Sequence, residues 1–157
     1  MIKKSDEISQ LDQYDLRIIA ELKADGRLAV TELAQRVGLS KTPCQMRLRR
    51  LQSDGFIIGF RAVLDPEKLG MSNVAFIEIR LKDTTEASLA AFNKAVRAIP
   101  EIEQCHMIAG AFDYLLKVRT RTIAEYRKTL GEKISNLPHV ASSSTHVSME
   151  SVKDEVF

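Results

Sequence analysis

The organisation of the first third of this chain is decided by the stretch Leu33-Ala-Gln-Arg-Val-Gly-Leu-Ser-Lys-Thr-Pro-Cys-Gln-Met-Arg-Leu-Arg-Arg-Leu-Gln-Ser53. Gly38 predicts the end of one helix, because glycine readily adopts the left-handed conformation of a helix C-terminus. Ser40 is a good N-cap for the next helix, and Pro43 lies in its first turn, where a missing N–H is harmless. Two helices joined by a tight Gly-Leu-Ser turn are typical of a helix-turn-helix unit.

The helix that follows Ser40 is predicted to have two chemically different faces. At about 100° per residue, Cys44, Leu48 and Leu51 share one side and are expected to pack inward, with Arg47 at its edge. Gln and Arg side chains can read adenine and guanine in the major groove, and a helix N-terminus favours a phosphate. The sequence therefore predicts a DNA-binding face made of Ser40, Lys41, Thr42, Gln45, Met46, Arg49 and Arg50.

The distribution of charge supports this interpretation. The 157-residue chain has a net charge of only +2, but Leu33 to Ser53 contains five Lys or Arg residues and no acid. A basic cluster on a nearly neutral protein indicates a site for a polyanion. The alternative is a solvated basic helix face, which is common.

Flanking patterns complete a predicted three-helix unit with a following strand. Asp12 and Asp15 form a capping-box pattern at the start of a first helix, and Gly26 is expected to end that helix in a left-handed cap. Thr31 is the expected N-cap of the second helix. Phe56 to Leu64 is rich in Ile, Phe and Val and is predicted to be a strand, which gives a winged-type helix-turn-helix domain over residues 1–64.

The remainder alternates between strand and helix patterns. After a linker over residues 65–73, strands are predicted at residues 74–81, 102–109, 114–119 and 140–149. Apolar residues spaced by three and four predict one helix after the first strand and another after the third. Strand-helix-strand repeated twice is a ferredoxin-like βαββαβ domain, here residues 74–157, so the fold class is α+β. Two helices cover one face of such a sheet, and the other face, with apolar residues in its first and third strands, is expected to pair in a homodimer.

Several other classes are disfavoured. Two cysteines fit a reducing cytoplasm, and the chain has neither a secretory signal pattern nor a run of about 18 apolar residues. Cys105 and His106 would point to opposite faces of a strand, so no metal site is expected, and no cofactor motif is present. Asp113 and His106 are the only candidates for a catalytic pair, and no pattern connects them.

The ordered set of motifs resembles the Lrp/AsnC family of transcription regulators, closest to the leucine-responsive regulatory protein branch. The resemblance runs from about residue 9 to residue 153 and is carried by the segments Leu11-Asp-x-x-Asp15, Glu32-Leu-Ala34, Gly38 to Cys44, Arg49-Arg-Leu51, Gly55 to Phe60, Glu103 to His106, Gly110 to Lys117 and Tyr126 to Gly131.

This resemblance implies a nucleoid-associated regulator, acting as activator, repressor or both, that forms homodimers assembling into octamers. It also implies an amino-acid effector, bound by Met107, Gly110, Ala111, Phe112, Asp113, Ile123, Thr145 and His146. In the turn, backbone N–H groups could bind the effector's carboxylate and Asp113 its ammonium, although an Asp in a hairpin often caps its own backbone. Ala111 replaces an acidic or polar residue of the close branch, so leucine, another branched-chain amino acid, proline and lysine all remain open as effectors.

Two other functions compete with an amino-acid-responsive, sequence-specific regulator. The first is an architectural DNA-wrapping protein with little sequence preference and no effector. The second is a catalytic ferredoxin-like domain with an accessory helical part.

Overall fold

The chain divides into two compact units, Met1–Val63 and Leu64–Phe157. The computed structural model describes residues 11 to 153. The first unit contains the helices α1 (Gln13–Ala24), α2 (Val30–Val37) and α3 (Lys41–Ser53). The second contains β1 (Asn73–Leu81), α4 (Glu86–Val96), β2 (Ile102–Met107), β3 (Tyr114–Thr120), α5 (Ile123–Thr129), a π-helical turn (Leu130–Ile134) and β4 (Val140–Val147). The predicted α+β class is confirmed.

The three helices of the first unit enclose a small apolar core. Ile18 of α1, Leu33 and Val37 of α2, and Cys44 and Leu51 of α3 are all essentially inaccessible to solvent. Leu48 packs against this core while remaining partly exposed. The predicted inward side of the third helix is therefore confirmed, and its orientation determines which side chains α3 presents outward.

The helix ends match the sequence-based predictions in part. Asp12 and Asp15 form the predicted capping box, in which each carboxylate accepts the other residue's backbone N–H, at 3.0 and 3.1 Å. Gly38 ends α2 with a φ of 75°, in the left-handed region. The prediction for Gly26 is wrong: α1 ends at Ala24, and Asp25 turns the chain by accepting the N–H of Arg27, so no left-handed residue is needed there.

The predicted cap of the second helix is also wrong. Thr31 lies inside α2, whose N-cap is Ala29, a residue without a side-chain hydrogen bond to the helix. The earlier start places Val30 within the helix, where it packs against the core of the first unit. Tertiary packing of one more apolar residue has taken precedence over a local capping interaction.

Residues 56–64 do not form the predicted strand. Phe56 and Ile57 pack against the helical core, and the N–H of Ile57 donates to the carbonyl of Leu51. Beyond them, Ile58 and Val63 are 97% and 83% exposed. A strand requires a neighbour for its backbone hydrogen bonds, and no strand pairs with this segment within residues 11–153.

The second unit is a four-stranded antiparallel sheet in the order β2-β3-β1-β4, the arrangement predicted for a ferredoxin-like domain. One face is covered by the helices, with Ile77, Leu116, Phe92 and Tyr126 in the core. We call the other side the open face; β1 contributes Phe76, Glu78 and Arg80 to it, and β3 contributes Leu115 and Lys117. Among residues 11–153 no helix is long and apolar enough to span a bilayer.

Candidate DNA interface and effector site

The residues predicted to contact DNA lie together on the outer side of α3 and at its N-terminus. Ser40 is the N-cap and makes no side-chain capping hydrogen bond. Lys41, Thr42 and Arg49 are exposed, Met46 is 67% exposed, and Gln45 is partly buried. Among residues 11–153, nothing forms an ion pair with Lys41 or Arg49. These side chains are available to a ligand that approaches α3 from outside.

Two arginines of α3 have a different environment. Arg47 Nη1 lies 2.6 Å from Asp12 Oδ2 and 2.9 Å from Asp15 Oδ1, while Arg50 Nη2 lies 2.5 Å from Asp15 Oδ2. The guanidinium of Arg47 is also 5.5 Å from the centre of the Tyr14 ring, within the range of a cation–π contact. Arg50, predicted to contact DNA, is therefore paired with a carboxylate at the start of α1. We call these four charged residues the Asp–Arg cluster.

The carboxylates of the Asp–Arg cluster favour the charged forms of their partners. Hydrogen bonds from the backbone N–H of Asp15 and from Arg47 lower the pKa of Asp12, and the Asp12 and Asp15 carboxylates raise the pKa of Arg47. Both shifts stabilise the ionised pair. Asp12 and Arg47 therefore stay charged across the physiological pH range.

The turn predicted to bind an effector joins β2 to β3 and is anchored at both ends. The N–H of Ile108 donates to the carbonyl of Asp113, and the N–H of Asp113 donates to the carbonyl of Ile79 in β1. Arg80 Nη2 donates to the carbonyl oxygen of Ala111 at the tip. The turn is thus fixed against β1, while Gly110 and Ala111 are exposed.

Asp113 has a structural partner that neither sequence-based interpretation anticipated. Its Oδ2 accepts the backbone N–H of Leu81 at 2.7 Å, across the gap between the turn and the end of β1. The carboxylate thus binds a neighbouring strand and does not cap its own hairpin. The second oxygen remains available for a further hydrogen bond, because a carboxylate accepts about four.

The other predicted effector residues do not all converge on this turn. Met107 and Ile123, 56% and 51% exposed, lie on the helix side of the sheet. Thr145 is also on that side, where its Oγ1 is 2.7 Å from the Tyr126 hydroxyl. His146 lies on the open face, and its Nε2 is 3.5 Å from Glu78 Oε1. Within one chain, the register places Thr145 and His146 opposite Ile77 and Phe76, away from the turn at the end of β1.

The structure adds residues that sequence reasoning missed. A cleft of about 240 Å³ lies between the turn and β4 and is lined by Ala111, Phe112, Glu78, Arg80 and Ser142 to Ser144. Arg80 pairs with Ser142 in the register of β1 and β4, and Glu78 pairs with Ser144. Strand alternation could have placed Glu78 and Arg80 on one face. Their position beside the turn depends on the register, which the sequence does not reveal.

The two cysteines and the histidine beside one of them offer no reactive site. Burial raises the pKa of the Cys44 and Cys105 thiols, which lowers the thiolate fraction that would react. Cys105 pairs with Leu116 on the covered side of the sheet, and His106 pairs with Leu115 on the open face. Across residues 11–153, no three His, Cys, Asp or Glu side chains are grouped as a metal site requires.

Comparison with known proteins finds a matching family for each of the two units. Residues 11–58 match a family model described as winged helix-turn-helix DNA-binding, and residues 74–156 match one described as the Lrp/AsnC ligand binding domain. A relative named proline dehydrogenase transcriptional activator, from Rhizobium radiobacter, is 59% identical over 96% of this chain and 96% of its own length. The leucine-responsive regulatory protein of Escherichia coli strain K12 is 47% identical over 91% of this chain and 87% of its own.

The fold has close counterparts among solved structures. A transcriptional regulator of Neisseria meningitidis, solved as a complex with L-Met, superimposes with a TM-score of 0.86 and 28% identity, covering 92% of this chain and 94% of that one. The DNA-binding unit, the ligand-binding unit and these relatives agree on a regulator and not an enzyme. The chain belongs to the Lrp/AsnC family of DNA-binding transcriptional regulators, whose members bind amino-acid effectors.

Proposed function

We propose that this regulator activates a gene for proline breakdown and that free L-proline is its effector. The relative that is 59% identical over nearly the whole chain carries the name proline dehydrogenase transcriptional activator. Leucine, another branched-chain amino acid and lysine are the competing effectors, since a relative at 47% identity is named for its response to leucine. The sequence identity to the proline dehydrogenase activator extends over both units, which supports proline over the competing effectors.

The DNA-binding half of the proposal rests on one observation: side chains on the outer side of α3 are accessible to solvent and, apart from Arg50, form no ion pair with the described residues. Gln45 and Arg49 are suited to base edges, and Lys41 and Ser40 to a phosphate at the helix N-terminus. Thr42 and Met46 add apolar contact for a thymine methyl. Lys41 and Arg49 are exposed, and the ion pairs of α3 among the described residues involve Arg47 and Arg50, so both of these charges are available to a nucleic acid.

The cleft beside the β2–β3 turn supports binding of a small zwitterion. A guanidinium has five N–H donors, so Arg80 can bind the carbonyl of Ala111 and still offer donors to an effector carboxylate. Glu78 offers an acceptor for the amino group, and Phe112 offers an apolar surface for the ring. Asp113 contributes by holding the turn against β1. Of the eight effector residues expected from the family resemblance, Ala111 and Phe112 line this cleft, to which Glu78 and Arg80 are added, and Gly110 and Asp113 belong to the same turn. Met107, Ile123, Thr145 and His146 lie outside the cleft within one chain, and they stay part of the proposal as residues that would meet an effector at a contact with a neighbouring chain.

The proposal includes a homodimer formed through the open face, so that the cleft, which lies on the same face, sits at or beside the contact between the two chains. The dimers assemble further into octamers in the cytoplasm around the nucleoid. Phe76, 36% exposed, and Leu115 give this face apolar surface that water would otherwise cover. Phe76→Asp should lower the molar mass measured by sedimentation equilibrium to that of one chain. An unchanged mass would place the dimer contact elsewhere.

The DNA-binding half is tested with duplexes selected from a random pool by the intact protein. Gln45→Ala combined with Arg49→Ala should lower affinity for the selected duplex by about 100-fold, since each good base contact contributes about 1–3 kcal/mol. The matched control, Gln13→Ala with Arg17→Ala, removes the same residue types from exposed positions of α1. Unchanged affinity in the first variant would exclude this face.

The same titration separates a specific regulator from an architectural protein. Binding to the selected duplex should exceed binding to a scrambled duplex by at least about 1000-fold at physiological salt. A ratio near one would favour the architectural function. That alternative is physically open because phosphate contacts supply most of non-specific binding.

The effector half is tested by calorimetric titration of the dimer with L-proline. We expect saturable binding that Arg80→Gln weakens strongly, with leucine and lysine binding more weakly than proline. Arg97→Gln, which removes an exposed arginine at the end of α4, is the matched control. Tighter binding of leucine than of proline would reassign the effector, and equal behaviour of the two arginine variants would reject the cleft.

A further inference from the structure

We infer that Asp12 and Asp15 act as positioning residues for DNA recognition: they hold Arg47 and Arg50 of α3 against the start of α1, so that these arginines orient the recognition helix and do not bind phosphate. This inference rests on the proposed DNA interface. It changes the role of Arg50, which the sequence assigns to DNA contact.

The geometry of the Asp–Arg cluster links two helices far apart in sequence. Asp15 precedes Arg47 and Arg50 by 32 and 35 residues, and both of its oxygens accept hydrogen bonds from them. Asp12 contributes the second acceptor for Arg47, at 2.6 Å. The two carboxylates are also held by each other's backbone N–H groups in the capping box. These hydrogen bonds from the start of α1 therefore fix the position of α3 along its own axis and its rotation about that axis.

Burial distinguishes this cluster from an ordinary surface ion pair. The side chain of Asp15 is only 1% exposed. A buried carboxylate is costly unless it is fully hydrogen-bonded, and removal of its partners leaves an uncompensated charge. The arginines are thus expected to stay with Asp15 when DNA approaches, although the side chain of Arg50 is 48% exposed.

The cluster also limits the charge that α3 offers to a nucleic acid. The helix carries four basic residues, Lys41, Arg47, Arg49 and Arg50. The carboxylates of the cluster neutralise Arg47 and Arg50. Each phosphate that a protein neutralises contributes about −0.9 to the slope of log K against log salt. Arg47 and Arg50 should therefore contribute nothing to this slope, while Lys41, which is assigned to a phosphate, should contribute fully.

The first test compares Arg50→Gln with Arg49→Gln on the selected and scrambled duplexes over a series of salt concentrations. We expect Arg50→Gln to lower affinity for the selected duplex about tenfold, the value of one charge-assisted hydrogen bond, while the salt slope stays unchanged. If Arg50→Gln instead lowers the slope by about 0.9, Arg50 is a phosphate contact and the inference is overturned. If Arg49→Gln alters neither affinity nor slope, the proposed DNA interface itself has failed.

The second test removes a carboxylate and keeps the helix cap. Asn is as good an N-cap as Asp, so Asp12→Asn should leave α1 intact, as circular dichroism would verify. Arg47 then keeps Asp15 as its one carboxylate partner and should contact phosphate only in part, so affinity for the scrambled duplex should rise and the salt slope should steepen by less than about 0.9, which lowers the ratio of specific to non-specific binding. Asp54→Asn changes the net charge equally at the exposed end of α3. Identical behaviour of the two variants would overturn the inference.

Discussion

The proposed recognition helix and the proposed effector cleft present their side chains in different ways. On α3, Gln45 and Arg49 lie on adjacent turns of one helix. In the cleft, Glu78 and Arg80 come from β1, Phe112 from a turn and the serines from β4. The side chains of the proposed DNA site therefore come from one helix, whereas those of the proposed effector site come from three segments that strand register and hydrogen bonds bring together. Substitutions should separate the two sites.

Loss of the core of the first unit should have the largest effect. Leu51→Ala removes a fully buried side chain, which costs about 2–5 kcal/mol. We expect DNA binding to be lost at physiological temperature, with effector binding by the second unit retained. Denaturant unfolding and calorimetric titration measure the two effects. Equal loss of both functions would show that the units are not separable.

Removal of the hydrogen bond that anchors the β2–β3 turn should have the second largest effect. Asp113→Ala deletes the acceptor for the Leu81 N–H and should cost about 1–3 kcal/mol, the penalty of an unsatisfied partly buried donor. Effector binding should be abolished, while binding to DNA without effector persists. Asp113→Asn keeps an acceptor and should retain most of the stability. If Asp113→Ala binds proline normally, the turn does not shape the cleft.

A new cap on α2 should have a smaller and opposite effect. Ala29 is an N-cap without a side-chain acceptor, so Ala29→Ser should stabilise the first unit by about 1 kcal/mol. Ala29→Gly adds no acceptor and should fall a few tenths of a kcal/mol short of Ala29→Ser. Urea unfolding of the two variants and the wild type provides the measurement. A stability of Ala29→Ser equal to that of the wild type would indicate that the N-terminus of α2 is already satisfied.

The smallest expected effect concerns pH and the N-terminus of α4. Hydrogen bonds from Ser88 and Thr85 lower the pKa of Asp83 from 3.8 to about 2. A lowered folded-state pKa means that this carboxylate stabilises the fold above the unfolded value of 3.8, and that the contribution disappears as the pH falls through about 2. Wild type should be more stable than Asp83→Asn near neutral pH. A difference that does not shrink on acidification would contradict this assignment.

The sequence predicted the features that depend on neighbours along the chain. The inward side of α3, the capping box of Asp12 and Asp15, and the left-handed Gly38 all follow from spacing within about one turn of helix. The strand and helix order of the second unit follows in the same way from apolar periodicity. These local rules account for the three helices of the first unit and for the order of strands and helices in the second.

The remaining features depend on contacts that no local pattern encodes. The start of α2 at Val30 is decided by packing, and the segment over residues 56–64 lacks a strand to pair with among the described residues. The pairing of Arg50 with Asp15 joins residues 35 positions apart. The cleft beside Arg80 requires the register of β1 with β4. Each of these is a tertiary property, available only once the units are folded.

The most direct test of this account is fluorescence anisotropy at fixed, near-physiological salt. The protein is titrated into the region upstream of its own gene and into a scrambled duplex, each with and without L-proline and then the other amino acids. We expect tighter binding to the upstream region and a change in its affinity with proline. Equal affinity for both duplexes, unaltered by any amino acid, would contradict a sequence-specific, effector-responsive regulator.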